Sequence, residues 1–74
     1  MSYKVSVVVE KDEAGYYAYS PELAGCQSQG DSYEEAIKNM REAIELYIET
    51  MSEGERKALL SKEIVTTFLE VKVA

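Results

Sequence analysis

Residues 17–36, YAYSPELAGCQSQGDSYEEA, decide the fold of this 74-residue chain. They lead from a tyrosine-rich strand through a connection containing Pro21 and Gly25 to the start of a helix. Pro21 cannot donate to a sheet ladder and therefore ends the strand before it. Residues 26–29 are predicted to form a short, polar strand, which Gly30 ends.

The helix that follows has a clear start and a clear apolar face. Ser32 and Glu35 have the spacing of a reciprocal capping box, and Ala36 follows in the first turn. One apolar stripe is predicted to lie on a sheet: Tyr33, Ala36, Ile37, Met40, Ala43, Ile44, Tyr47, Ile48 and Met51. Three ion pairs are expected on the opposite face: Glu34–Lys38, Lys38–Glu42 and Arg41–Glu45.

Three further strands are predicted from alternating apolar residues. Residues 3–10 form the first, a polar turn at residues 11–15 follows, and residues 16–19 complete a hairpin. Residues 64–73 form the last strand. Residues 52–62 fit either a helix end at Gly54 or a new short helix beginning with Ser52 and Glu55.

The predicted order is β-β-β-α-β, an α+β fold with a mainly antiparallel sheet and one long helix on one face. If the last strand lies parallel beside the first, its crossover is right-handed. We expect residues 1–74 to be one domain without a C-terminal DNA-binding domain. The outer face of the sheet is expected to carry Val8, Tyr16, Ala18 and Phe68.

Composition limits how the chain is stabilised. A chain of this length buries only about 60% of its unfolded surface, and with one cysteine and no histidine it has neither an internal disulfide nor a zinc site. Self-association is the remaining common solution, so a homodimer or larger homo-oligomer is expected. No apolar run or signal-peptide layout predicts membrane insertion or export, so we expect a cytoplasmic protein.

The charge disfavours nucleic acid as a partner. The net charge is −6, and residues 31–51 hold six acids against two bases. Such a surface repels phosphates and favours a basic protein partner.

No set of residues supports covalent chemistry. Cys26 has no histidine to activate it and is expected to be a small core residue. A metal-dependent nuclease is the enzymatic alternative, but only Glu10 and Glu70 lie on predicted strands, and no group of acids is expected to converge. Gly25 and Gly30 do not form a phosphate-binding loop. We therefore expect no catalytic residue, cofactor or metal site.

These motifs resemble the HicB-like antitoxins over residues 3–51. The family pattern is an aromatic strand, then P-x-L-x-G-C, Q-G-x-[ST] and E-E-A opening a helix. The matching positions are Pro21, Leu23, Gly25, Cys26, Gln29, Gly30, Asp31, Ser32, Glu34, Glu35 and Ala36.

The resemblance implies a partial RNase H-like fold and a non-catalytic antitoxin. Its partner would be a small, basic, HicA-like toxin that cleaves messenger RNA and whose RNA-binding surface the antitoxin masks. A stand-alone oligomeric adaptor without a toxin is the alternative. Candidate partner contacts are Glu10, Asp12, Glu13, Tyr16, Tyr19 and Glu22.

Overall fold

The computed structural model describes residues 2–74 and has an α+β fold. Three antiparallel strands form one sheet in the order β1-β2-β3, and two helices follow. The elements are β1 (Val8–Asp12), β2 (Gly15–Tyr19), β3 (Gln27–Gly30), α1 (Tyr33–Glu49) and α2 (Glu53–Leu60). The predicted fold class, with a long helix packed on one side of an antiparallel sheet, is confirmed.

The hairpin between β1 and β2 forms at the predicted turn. Asp12 is paired with Gly15 at its end. The Asp12 carboxylate accepts a hydrogen bond from the main-chain N–H of Ala14 at 2.8 Å. Gly15 has φ of +132°, a conformation that favours glycine.

The connection from β2 to β3 supplies much of the small core. The main-chain N–H of Ser20 donates to the carbonyl of Cys26 at 3.1 Å, and that of Cys26 donates to Leu23 at 3.0 Å. This tight loop places the side chains of Leu23 and Cys26 in the core. Gly25 has φ of +79°, which explains the glycine at that point.

Helix α1 begins as predicted, with one difference at its cap. The Ser32 hydroxyl accepts from the N–H of Glu35 at 3.1 Å. The Glu35 carboxylate does not complete the predicted box with Ser32, because it accepts from the N–H of Asp31 at 3.2 Å instead. A complete capping box forms at α2, between Ser52 and Glu55.

The apolar stripe of α1 faces the sheet, with Ala36 and Met40 fully buried. Tyr33 is 53% exposed, so its predicted core position is wrong; it lies in the first turn, ahead of the buried residues. The three ion pairs predicted on the side of α1 opposite its apolar stripe are also wrong. Within residues 2–74 the one pair within 4.0 Å joins Lys57 to Glu53 in α2 at 3.7 Å, since long exposed side chains gain little from pairing in water.

The structure decides the assignment of residues 52–62 in favour of a second helix. Its capping box fixes the start, and the Arg56 Nε donates to the carbonyl of Ile48 near the end of α1 at 2.8 Å. Leu59 and Leu60 pack against the core. Within residues 2–74, neither α1 nor α2 combines the length and the apolar character that a membrane-spanning helix needs.

Two strand predictions need correction. Strand β1 begins at Val8, because β2 ends at Tyr19 and Pro21 follows, which leaves residues 2–7 without a strand to pair with. Residues 64–73 form no strand within this chain and are exposed throughout. The last strand of the predicted β-β-β-α-β order is therefore absent from the single chain, since nothing in it pairs with these residues.

Candidate protein-binding surface

The register of the sheet assigns each strand residue to one of two faces. Val9 is paired with Ala18, which is fully buried under α1, whereas Val8 is paired with Tyr19. Residues directly opposite each other share a face, and successive residues alternate. The face away from α1, called here the outer face, therefore consists of Val8, Glu10, Tyr17, Tyr19, Gln27 and Gln29.

Two tyrosines organise the outer face. The rings of Tyr17 and Tyr19 lie with their centroids 5.8 Å apart and their planes inclined by 33°. The Tyr17 hydroxyl donates to the Gln27 Oε1 at 2.7 Å, which holds the ring against β3. Rigid aromatic rings with polar tips are well suited to protein contacts, because they bury a large area at a small entropic cost.

Acidic residues border these tyrosines on the hairpin side. Glu10 lies directly opposite Tyr17, and Asp12 and Glu13 occupy the exposed turn. One oxygen of Asp12 holds the turn, so its negative charge is fixed in place. The basic Lys11 is paired with Tyr16 on the opposite face of the sheet, where its Nζ lies 5.5 Å from the centre of the Tyr16 ring. The hairpin end and the outer face thus form a continuous acidic and aromatic surface.

The structure brings together four of the six predicted contact residues: Glu10, Asp12, Glu13 and Tyr19. Tyr16 lies on the same face of β2 as Ala18, away from this surface. The expectation that Tyr16 and Ala18 share the outer face is therefore wrong, because the register turns both toward the helix side.

Glu22, the sixth predicted contact, has a structural role instead. It is 6% exposed. Its Oε2 accepts from the main-chain N–H of Ser6 at 3.1 Å, and its Oε1 accepts from the Ser20 hydroxyl at 3.4 Å. The carboxylate thus holds residues 2–7 where no strand pairs with them.

Sequence reasoning missed Tyr17, Gln27 and Gln29. The signal for them was present, because Tyr17 and Tyr19 share one side of a strand and the polar glutamines alternate in the next strand. What was lacking was the choice of which side of β2 the helix covers.

The motif residues have structural positions. A Cβ atom added at Gly30 would lie 2.6 Å from the main-chain nitrogen of Ala36, so a glycine is needed where β3 meets α1. Pro21 follows the end of β2 and Gly25 forms the loop, while Ser32 caps α1.

The one thiol of the chain, Cys26, is buried and does not belong to the outer face. Burial raises the pKa of the Cys26 thiol, which lowers its reactivity at neutral pH. Among residues 2–74, no three histidine, cysteine, aspartate or glutamate side chains come together as metal ligands. The exposed groups of the outer face can instead form hydrogen bonds, stack and attract a basic protein.

Comparison with known proteins identifies the family. Residues 3–71 match the HicB-like antitoxin of bacterial toxin–antitoxin systems. The chain belongs to the HicB-like antitoxin family. A UPF0150 protein of Helicobacter pylori is 47% identical over 70 residues, which cover 95% of this chain and 97% of the relative. A UPF0150 protein of Synechocystis is 43% identical over 72 residues, which cover 96% of this chain and 90% of the relative. No solved structure is significantly similar.

Membership of the HicB-like antitoxin family confirms the resemblance drawn from residues 3–51 and extends it. The match reaches residue 71, so it includes α2 and most of the exposed segment after it. An antitoxin-type function follows from the family in general terms. The RNase H-like relationship implied by the resemblance stays a prediction.

Proposed function

We propose that this HicB-like chain is a non-enzymatic antitoxin that binds a small, basic, HicA-like ribonuclease in the cytoplasm and covers its RNA-binding surface. The observation that carries the proposal is the outer face, whose tyrosine pair and neighbouring Glu10 carboxylate lie on the side of the sheet away from α1. A basic RNA-binding surface would meet fixed negative charge and hydrogen-bonding groups there. The same negative charge repels RNA, so the antitoxin itself would not bind the toxin's RNA substrate.

The contact is proposed to centre on Tyr17 and Tyr19, with Glu10 beside them and the hairpin acids Asp12 and Glu13 at the rim. A central aromatic patch would contribute most of the affinity, because buried rings are the usual hot spots of interfaces. The rim acids would mainly speed association and make it sensitive to salt.

Co-expression with the basic, toxin-sized protein encoded beside this chain tests the proposal. Rescue of growth and co-purification of the two proteins are the expected results. Failure of the neighbouring product to bind, or binding without rescue, would contradict the masking mechanism.

Matched charge reversals locate the surface. Glu10→Lys and Glu42→Lys change the net charge equally, but Glu10 lies on the outer face and Glu42 on the exposed side of α1. We expect Glu10→Lys to weaken binding by about 100-fold, since it brings a like charge to a basic partner, and Glu42→Lys by less than about fivefold. Isothermal titration calorimetry measures both. Equal losses would mean that only net charge matters and would refute the assignment to the outer face.

The tyrosines are tested separately. Tyr17→Ala removes a ring that is 37% exposed and not part of the core, so the variant should fold normally and lose at least about tenfold in affinity. Tyr33→Ala, at an exposed tyrosine on α1, is the control and should bind like the unaltered chain.

A further inference from the structure

Residues 64–73, IVTTFLEVKV, form an apolar segment with no partner in the described chain; we call it the C-terminal arm. Val65, Leu69 and Val71 are 77%, 83% and 76% exposed, and Phe68 is 97% exposed. Single exposed apolar residues are common on proteins, but a run of this kind marks an interaction surface. Alternation places Val65, Thr67, Leu69, Val71 and Val73 on one side of the arm if it is extended.

One edge of the sheet, along β1, is free to pair with a further strand. Strand β1 pairs with β2 on one side, and within residues 2–74 no strand pairs with its other side. Residues 2–7 precede β1 and pack Val5 and Val7 against the same core as Val9, a spacing of two residues that is typical of extended chain. Together with β1 they make up about eleven residues of chain beside which the arm could lie. The arm has ten residues, which is the length needed to pair along it.

An apolar groove lies beside the free edge of β1. It has a volume of about 380 Å³ and separates the start of the chain from α1. Helix α1 packs chiefly against β3 and β2, which leaves the β1 side of the sheet uncovered. The lining includes Val5, Val7, Ile37, Met40, Ile44 and Ile48, together with the charged side chains of Arg41 and Glu45.

The accessible surface and the radius of gyration of the chain both exceed the values for a compact protein of the same size. The accessible surface is 6129 Å², whereas a compact protein of 8.3 kDa exposes about 4,600 Å². The radius of gyration is 14.5 Å, against about 11 Å for a compact chain of this length. Two chains that each covered an excess of about 1,500 Å² would bury about 3,000 Å², an area typical of obligate homodimers.

Helix α2 connects the arm to the end of α1. Its capping box and the hydrogen bond from Arg56 to the Ile48 carbonyl fix it to the end of α1. The arm follows this fixed helix, and none of residues 64–73 lines the groove of its own chain. An unpaired segment and a free sheet edge in the same chain are the two elements that strand exchange requires.

We propose that two copies of this HicB-like chain exchange their C-terminal arms, each arm adding a fourth strand to the free β1 edge of the other copy. The side of the arm that carries Val65, Leu69 and Val71 then covers the partner's groove, and Phe68, Glu70 and Lys72 lie on the opposite side. Residues 62–74 contain two acids and two bases. The arm is therefore electrically neutral and can dock on an otherwise acidic chain without repulsion. A two-fold exchange pairs both free β1 edges and leaves none to propagate.

Sedimentation analysis over a wide concentration range tests the assembly, using a matched pair of arm variants. Leu69→Asp places a charge on the groove side of the arm, and Thr66→Asp places the same charge on the other side. Because both residues are exposed in the single chain, neither change disturbs the fold of residues 8–60, which an amide correlation spectrum verifies. We expect a dimer that Leu69→Asp weakens by about 100-fold or more, since burying an unpaired charge is costly, and that Thr66→Asp leaves nearly intact.

A mixed-label experiment distinguishes exchange from the other possible occupants of the groove. A dimer of one ¹³C-labelled and one unlabelled chain should show intermolecular contacts between the methyl groups of Leu69 or Val71 and those of Ile37 or Ile44. The same contacts within one chain would show the arm folding back on its own groove and would overturn the proposal. A monomer with an unprotected arm, or a dimer without arm–groove contacts, would overturn it as well.

Discussion

The two edges of the three-stranded sheet differ in how the chain protects them. The β3 edge is four residues long, and the Asn39 side chain donates to the carbonyl of Gln29 there at 2.8 Å. Gly30 lies so close to Ala36 that α1 rests on the strand. The β1 edge is longer, apolar on one side and unpaired.

This difference indicates that the exposed edge has a use. Proteins usually shorten or cover sheet edges, since an unpaired edge invites pairing with other chains. Here one edge is short and held by a helix, while the other is preceded by residues 2–7, whose Ser6 N–H donates to the Glu22 carboxylate. A protein that protects one edge in this way and leaves the other open is suited to receive a strand there.

The largest expected effect is at the protected edge. Gly30→Ala would bring a Cβ within 2.6 Å of the Ala36 main-chain nitrogen, and helix backbone cannot move aside cheaply. We expect the free energy of unfolding to fall by about 3 kcal/mol, at the upper end of the cost of overpacking. Denaturant unfolding at one fixed protein concentration measures it.

Gly54→Ala is the matched control for that substitution. The nearest atom to an added Cβ there is the Ser52 Oγ at 4.0 Å, so space is available. Because alanine is the better helix former, stability should rise by up to about 1 kcal/mol. If Gly30→Ala were tolerated as well as Gly54→Ala, the close packing of α1 on β3 would be refuted.

The next effect is at the open edge, where Glu22 holds the chain. Glu22→Ala leaves the N–H of Ser6 without its acceptor and should cost about 2 kcal/mol, since hydrogen bonds to a charged group are the stronger ones. Amide exchange at Ser6 should quicken more than at Val9, which lies in the paired part of β1.

Two further substitutions serve as comparisons for Glu22→Ala. Glu22→Gln keeps one acceptor oxygen and should lose about half as much stability. Glu13→Ala removes an exposed acid from the turn and should change stability by less than about 0.5 kcal/mol. Equal effects at Glu13 and Glu22 would point to general charge repulsion instead of a specific anchor.

A smaller loss is expected at Asn39. Asn39→Ala removes the single side-chain hydrogen bond to the Gln29 carbonyl and should cost about 1 kcal/mol. Lys38→Ala, one residue away on the exposed side of α1, is the control and should be nearly neutral. A neutral result at Asn39 would mean that shortness and Gly30 alone protect the β3 edge.

The same contrast explains which elements the sequence predicts well. The hairpin turn, the end of β2 at Pro21 and the start of α1 at Ser32 depend on neighbours within a few residues, so their signals are complete in the sequence. The arm has an equally clear alternation, yet it forms no strand within the chain. Alternation shows that a segment is able to pair, but it does not identify the partner.

The candidate surface was predicted in part for a related reason. Glu10 and Tyr19 follow from alternation, but the side of β2 that meets the helix depends on register, and a shift of one residue exchanges the two faces. Tyr16 was therefore placed on the wrong face and Tyr17 missed. The burial of Glu22 depends on Ser6 lacking a strand partner, which is a long-range property of the fold.

The smallest effect concerns α2, the helix that connects α1 to the arm. Hydrogen bonds from the Ser52 backbone and side chain lower the pKa of Glu55 from its ordinary 4.5. A lowered folded-state pKa means that the carboxylate stabilises the capping box above about pH 4.5 and that this stabilisation is lost as pH falls through the lower, folded value. Amide exchange at the start of α2 should therefore quicken on acidification below about pH 4.5, relative to α1. Glu55→Gln keeps an acceptor at the same place but cannot titrate, so it should remove this pH dependence while the helix remains. An unchanged pH profile in Glu55→Gln would assign the acid sensitivity of α2 to another carboxylate.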